Sequence, residues 1–386
     1  EFNRTNLRPP VMEEGSGTWP HVRRWVYVQA VGESVIRYPY TARWFPGVED
    51  FEVNNGPDAH RAEPYLNARV TGTLERDDYQ VEKLVYESLP GFHVTANVYV
   101  PRGPAPPFPA VVGTAGHTAN GKASATYQHA WISMAKRGFL VLAFDPPGQG
   151  ERSLYFDPDL GRSRVGIGTR EHTLSGLQCL LAGHHFARYE LWDAVRGVDY
   201  LLTREDVDPK RLAVAGNSGG GTQAAYLAVV EPRLAAAVSS CYMTSWKQLW
   251  FDPGPQDAEQ DLPAFLAHGL DFADFATAFA PRPFMIQAAV QDFFPIAGAR
   301  AAHAEARRIY EVLGAGERAG FFEYDDTHGW SQPRREATYR WFERWLHDRE
   351  DPGLEPPHVT ELESDLYATS TGQVSTAFEH VETVQS

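Results

Sequence analysis

RLAVAGNSGGGTQAAYLAVV, Arg211 to Val230, runs a short apolar, strand-like segment straight into a glycine-flanked serine and then into an alanine-rich helical stretch. Gly216, Ser218 and Gly220 fit the pattern Gly-x-Ser-x-Gly. The reason for that spacing is steric: a strand turning directly into a helix forces the serine into a strained backbone conformation, and only glycines let the two arms pass so close. The serine oxygen then stands clear of the sheet, at the positive end of the following helix. A bare five-residue match often arises by chance, and the strand before it and helix after it are what give it meaning. Ser218 is therefore read as a nucleophile on a tight turn rather than as a loop serine.

The segments on either side repeat this alternation. VEKLVYES and VTANVYV alternate apolar and polar residues around LPGFH, which predicts an antiparallel hairpin. Six short apolar runs follow: PAVVGT, FLVLAFD, RLAVAG, AAAVSS, FMIQAAV and GFFEY. Runs this short and this continuously apolar are expected of strands buried on both faces of a parallel sheet. Between or after them lie segments with helical spacing, including SATYQHAWISMAKRG, FARYELWDAVRGVDYLLTRE, GARAAHAEARRIYEVLGA and PRREATYRWFERWLHDR. The expected fold is α/β, a mostly parallel sheet with helices on both faces.

Three regions break the rhythm. Residues 1–78 are rich in Pro, Trp and Arg, with helical fragments such as HVRRWVYVQAVGESV and no alternating strand pattern. They predict an N-terminal helical cap packing on a core domain at 79–348. Residues 146–185 and the stretch FDPGPQDAEQDLPAFLAHGLDFADFATAFA are long insertions, as expected of lids or binding loops. Residues 349–386 form a polar tail or linker, which when ordered must rest on this domain or on a neighbouring chain. A second copy of the chain, docked through the tail, is thus a candidate partner.

Composition excludes several classes. The chain of 386 residues has a 43% apolar and 22% charged share, and no apolar run approaches the roughly 18 residues of a membrane helix. A net charge of -15 works against nucleic acid, whose binding rests on Lys and Arg neutralising phosphates. Two cysteines, Cys179 and Cys241, build neither a disulfide framework nor a four-thiolate zinc site, and buried free thiols are expected. The sequence itself fixes no compartment; a secreted or periplasmic one is favoured over the cytoplasm.

A serine hydroxyl is inert at neutral pH without a base, and the base needs an orienting acid. The chain order expected with this turn is Ser, Asp, His. Asp292 follows FMIQAAV in VQDFFPI, where a strand end puts its carboxylate at the same edge as Ser218. His328 follows GFFEY in DDTHGW, just ahead of the last helix. Asp325 and Asp326 compete for the acid role but sit too close in sequence to His328 to approach it from another strand end. The oxyanion needs two backbone N–H donors: Gly219 after the nucleophile and, from the loop AGHTANG, His117, with Gly116 giving room. The side chain of His117 is read as a polar loop group with no role in proton transfer.

DPPGQGER (Asp145 to Arg152), GNSGGG, QDFFPI and THGWSQPRREA together resemble the acetyl xylan esterase-like branch of the α/β-hydrolase superfamily, related to dienelactone hydrolases and prolyl oligopeptidase catalytic domains. The resemblance spans about residues 80–347. It implies a cofactor-independent serine esterase acting on acylated carbohydrate, with Ser218, Asp292 and His328 in the matching motifs. Many relatives carry His-Gly before the oxyanion donor, whereas this chain has Ala115-Gly116-His117. The segment TSTGQV is similar to one that in some relatives precedes further sequence.

Other signals carry less. GQGER lacks the Lys and Ser or Thr of a phosphate loop, and a glycine turn with Arg152 tied to a carboxylate is expected instead. His184 and His185 are adjacent without further ligands at suitable spacing, so no metal is expected. GPQDAEQD, carrying Asp257, Glu259 and Asp261, reads as a solvated lid, with shaping the mouth of the site as the alternative. Trp246 and Trp250, at i and i+4, are expected to share a helix face as core or cleft wall, with a sugar platform as the alternative. Two other readings stand beside the carbohydrate esterase. One is a serine peptidase or non-carbohydrate esterase on the same machinery, and the other is a catalytically dead binding protein, against which the intact Ser, Asp and His count.

Overall fold

The apolar runs form the strands of one sheet. The computed structural model describes residues 66–251 and 256–386 in full, and before them the backbone of three strands, β1 (Leu7–Glu13), β2 (Arg24–Val31) and β3 (Ser34–Thr41). The main sheet contains β4 (Arg69–Glu75), β5 (Tyr79–Leu89), β6 (Phe92–Pro101), β7 (Phe108–Thr114) and β8 (Leu140–Phe144). A small antiparallel ribbon, β9 (Phe156–Asp157) with β10 (Arg162–Ser163), lies in the first insertion. The main sheet continues with β11 (Val207–Asn217), β12 (Leu234–Ser240), β13 (Phe284–Gln291) and β14 (Ala319–Thr327). Its spatial order is β14-β13-β12-β11-β7-β8-β6-β5-β4. The six strands from β14 to β8 are mutually parallel, and the β5–β6 hairpin joins them antiparallel through β6 and β8.

The helices are α1 (Ala125–Lys136), α2 (Thr169–Leu181), α3 (Ala187–Leu202), α4 (Gly219–Val230), α5 (Trp246–Phe251), α6 (Ala273–Phe279), α7 (Ile296–Val312), α8 (Gln332–Leu346) and the short α9 (Val374–Ala377). Alternate strand residues feed two cores. Val112, Leu142 and Val214 pack with α3, α4, α6 and α7 on one face, while Val111, Val141, Ala213 and Ala215 pack with α1 and α8 on the other. Burial on both faces is why these strands read as unbroken apolar runs. The expected α/β sheet with helices on both faces is the fold observed.

The expected N-terminal helical cap is corrected. Its RWVYVQAV and SVIRYPYT segments are strands β2 and β3, paired with β1 in a separate three-stranded antiparallel sheet. Their β-branched and aromatic residues suit a pleated sheet better than a helix. How this extension meets the core lies outside the described residues.

The tail rests on its own chain. Glu361 accepts hydrogen bonds from Arg76 and Tyr79, and Gln373 Nε2 donates to the Gly150 carbonyl at 2.8 Å. Glu151 accepts from the backbone N–H of Ala368 (2.7 Å) and Thr369 (2.8 Å), and its Oε1 lies 2.6 Å from Lys122 Nζ. Lys122 also donates to Asp145 Oδ2 at 2.6 Å, and all three side chains are buried. The DPPGQGER loop thus folds around one buried cation: Gly150, at φ +55°, leaves no room for a Cβ, which would sit 2.1 Å from Asp145 Oδ1. Arg152 donates to Asp193 Oδ2 at 2.6 Å, the carboxylate tie expected for that turn. Lys122→Ala would strand two buried carboxylates, so we expect a loss of about 3–5 kcal/mol of stability, read as a shifted midpoint in urea unfolding.

Candidate active site

Strand β11 carries the chain directly into α4 through Ser218, whose φ of 61° and ψ of -127° lie where non-glycine residues are seldom found. The flanking glycines allow it: a Cβ on Gly216 would lie 2.2 Å from Thr114 Oγ1, and one on Gly220 2.1 Å from the Thr114 carbonyl oxygen. Neighbouring strand ends hold the turn, with Ser218 N–H donating to the Ser240 carbonyl (2.8 Å) and Thr114 Oγ1 to that of Gly220 (2.7 Å).

Three separate sequence motifs meet at this edge of the sheet. His328 Nε2 lies 2.8 Å from Ser218 Oγ, and His328 Nδ1 lies 2.8 Å from Asp292 Oδ1. A carboxylate only accepts, so Nδ1 carries the proton and Nε2 presents its lone pair to the serine hydroxyl. Asp292 stands just past the end of β13, its side chain 1% exposed, and its Oδ1 also accepts from Phe294 N–H at 3.1 Å. The ring of Phe293 covers the imidazole, with centroids 4.2 Å apart.

The competing acids are engaged elsewhere: Asp325 Oδ1 accepts from Gln291 Nε2 at 2.9 Å, and Asp326 Oδ2 from Arg334 Nη2 at 3.1 Å. Arg334 is fully buried and reaches Ser240 Oγ (3.3 Å), Cys241 Sγ (2.5 Å) and the Thr327 carbonyl (3.2 Å), bracing the strand ends beneath the site. Both cysteines are free and buried, and burial pushes the Cys241 thiol up to about 12.

The AGHTANG loop lies against the start of α4. A Cβ on Gly116 would stand 3.1 Å from Gly219 N, and one on Gly219 would meet the His117 ring at 2.7 Å. Gly219 N–H opens α4 and has no partner within the helix, which leaves it free to face an oxyanion. The His117 side chain departs from expectation. It is only 12% exposed, and its Nε2 lies 2.8 Å from Glu259 Oε1 and 3.0 Å from His172 Nδ1. Burial opposes its protonation, but the negative charge of Glu259 beside it prevails and raises its pKa. His172 sits on α2 and Glu259 in the one-turn 3₁₀ helix Ala258–Gln260, so each insertion contributes one residue to a cluster behind the oxyanion loop.

That corrects the reading of GPQDAEQD as a solvated lid. Glu259 is buried and Asp257 is 13% exposed, because imidazoles face both carboxylates. The Trp246 and Trp250 expectation is also corrected. Trp246 packs on Phe272 with centroids 5.5 Å apart, while Trp250 is 74% exposed at the end of a six-residue helix too short to bury both. His184 Nδ1 meets Arg188 Nη1 at 3.1 Å, and His185 Nε2 meets the Asp261 carbonyl at 3.2 Å. His172, Glu259 and Arg334 were missed in the sequence; for the first two, no signal links residues so far apart in the chain.

The model of the acetyl xylan esterase family matches residues 64–267, more than half of the chain and including the serine turn and both histidines of the buried cluster. The chain belongs to the acetyl xylan esterase family. A curated relative is the provisionally named hydrolase YtaP of Bacillus subtilis (strain 168), 23% identical over 54% of this chain and 66% of its own. Among solved structures, the methylesterase BT1017 aligns with a TM-score of 0.62 at 23% identity, covering 81% of this chain and 65% of the other. The chain spans just under two thirds of the length of these two relatives. An acetyl xylan esterase from Paenibacillus sp. R4 aligns at 0.52 and 20% identity, covering 73% and 89%. A glucuronoyl esterase from Solibacter usitatus aligns at 0.52 and 15%, covering 73% and 86%. At these identities the solved structures speak for the fold, that of the α/β-hydrolase esterases. Among the described residues, no helix is long and apolar enough to cross a membrane.

Proposed function

We propose that this family member is a serine carboxylic-ester hydrolase that removes acetyl or similar acyl groups from carbohydrate. The observation that carries the reading is the unbroken chain Ser218 Oγ, His328, Asp292 with both links at 2.8 Å, on a strained turn at the edge of the sheet. In this mechanism Ser218 Oγ attacks the ester carbonyl as His328 Nε2 takes its proton, and Asp292 holds the imidazole and stabilises the imidazolium. The backbone N–H groups of Gly219 and His117 receive the oxyanion. His328 returns the proton to the leaving alcohol, and water, deprotonated by the same imidazole, releases the acid from the acyl-enzyme. The family, and the carbohydrate esters named in the acetyl xylan and glucuronoyl esterase structures, support a sugar ester as substrate.

The test is a hydrolysis panel of nitrophenyl acetate, acetylated xylan, feruloyl and glucuronoyl esters and a peptide amide. Serine-dependent acetate release from xylan is the expected result. Turnover of small esters alone would remove the polysaccharide, cleavage of the amide would favour a peptidase, and no turnover anywhere would overturn the esterase reading.

A further inference from the structure

The cluster behind the oxyanion loop has the form of a metal site. His117 Nε2, His172 Nδ1 and the two oxygens of Glu259 converge with separations of 3.0 Å between the nitrogens and of 2.8 and 3.2 Å from each nitrogen to its nearest carboxylate oxygen. Ligands about 2.1 Å from an ion lie about 3.0 Å apart at right angles and about 3.4 Å apart at tetrahedral angles, so side-chain shifts of a few tenths of an ångström let one ion meet all three groups at ordinary bond lengths. The outer nitrogens are committed as those of ligating histidines are. His172 Nε2 lies 2.8 Å from the Pro147 carbonyl, to which only an N–H can donate, and His117 Nδ1 faces Asp257 Oδ2 at 3.5 Å. The Pro147 carbonyl fixes the tautomer that turns Nδ1 of His172 inward as a lone pair, and the Asp257 carboxylate stands behind the His117 ring as an outer partner would.

Hydrogen bonding leaves part of the cluster unsatisfied. Glu259 Oε1, in a side chain 1% exposed, makes no hydrogen bond of acceptable geometry despite standing 2.8 Å from His117 Nε2. Glu190 Oε1, also buried without a hydrogen-bond partner among the described residues, points at the same place from 3.8 Å.

The other two His-containing groupings with such proximity among the described residues are already satisfied. Glu355, beside His129 and His358, is held by both arms of Arg335, and Cys241, Asp292 and His328 belong to the serine site.

We propose that His117 Nε2, His172 Nδ1 and the Glu259 carboxylate bind one divalent transition-metal ion of the zinc class. Two nitrogens and a carboxylate suit such an ion better than calcium or magnesium, which take oxygen ligands. Two ligands are 1% exposed and the third 12%, so the ion would be enclosed. Its role is positional: it ties both insertions to the loop that carries the His117 N–H. The binding itself does not depend on the esterase reading.

The test uses the full chain without an affinity tag, stripped with a chelator and back-titrated with zinc chloride, followed by calorimetry, elemental analysis and thermal melting. The expected result is one zinc per chain and a melting temperature several degrees higher with zinc in excess. Glu259→Gln and His172→Gln are expected to weaken binding at least ~100-fold and to abolish the shift, while His358→Ala keeps both. Absence of stoichiometric zinc, or binding that survives Glu259→Gln or disappears with His358→Ala, would overturn the proposal. Should the cluster variants fail to fold, cobalt loaded into the unaltered chain decides instead: a visible d–d spectrum with nitrogen ligation supports the site, and its absence refutes it.

Discussion

Ser218→Ala is expected to lower kcat on nitrophenyl acetate by about five to six orders of magnitude while leaving the fold in place. The loss is large because the reaction as proposed begins at one oxygen, and among the described residues no second hydroxyl is bonded to His328 Nε2. The fold is expected to persist because the strain at this position is in the backbone. Alanine has the same Cβ as serine, and the turn is held by Ser218 N–H to the Ser240 carbonyl and by Thr114 to Gly220, neither of which uses the hydroxyl. Some turnover above the uncatalysed rate should remain, since the backbone donors proposed at Gly219 and His117 do not depend on the serine hydroxyl. Initial rates beside a circular dichroism spectrum check both halves. An undiminished rate in a folded variant would sink the mechanism.

What the sequence makes legible follows from where each signal resides. PAVVGT and FMIQAAV announce buried parallel strands because both faces of β7 and β13 meet apolar helices, so local composition reports the environment directly. GNSGGG is equally local, since the glycines answer to close approaches within one turn. RWVYVQAV misleads because Trp25, Val26, Tyr27 and Val28 fit either period, and strand pairing depends on partners the segment does not contain. GPQDAEQD misleads for a deeper reason: its charges look solvated, and Glu259 is buried only because His117 and His172, from two other parts of the chain, converge on it. Burial of charge is a property of the assembled cluster. A reading that moves along the chain meets its three members one at a time and has no ground to join them.

Asp292→Asn should lower kcat by about four orders of magnitude, with much less effect on KM, and Asp325→Asn should leave both within a few-fold. The asymmetry comes from hydrogen-bond direction. Asp292 Oδ1 accepts from Phe294 N–H as well as from His328 Nδ1. An asparagine that keeps its carbonyl at the Oδ1 position has lost the charge that stabilises the imidazolium, and one that turns its amide nitrogen there offers the imidazole only a donor. His328 then holds its proton on Nε2, toward Ser218, where it cannot take the serine's own. The arrangement of heavy atoms would be nearly unchanged, so the defect would lie in proton placement and not in binding. Asp325 is bound to Gln291 and does not touch the imidazole, so its neutralisation alters only a distant, solvated charge. Equal losses in the two variants would mean that the acid is supplied from the His328 loop itself. The β13 end would then be a structural neighbour of the histidine, and the order Ser, Asp, His along the chain would lose its mechanistic meaning here.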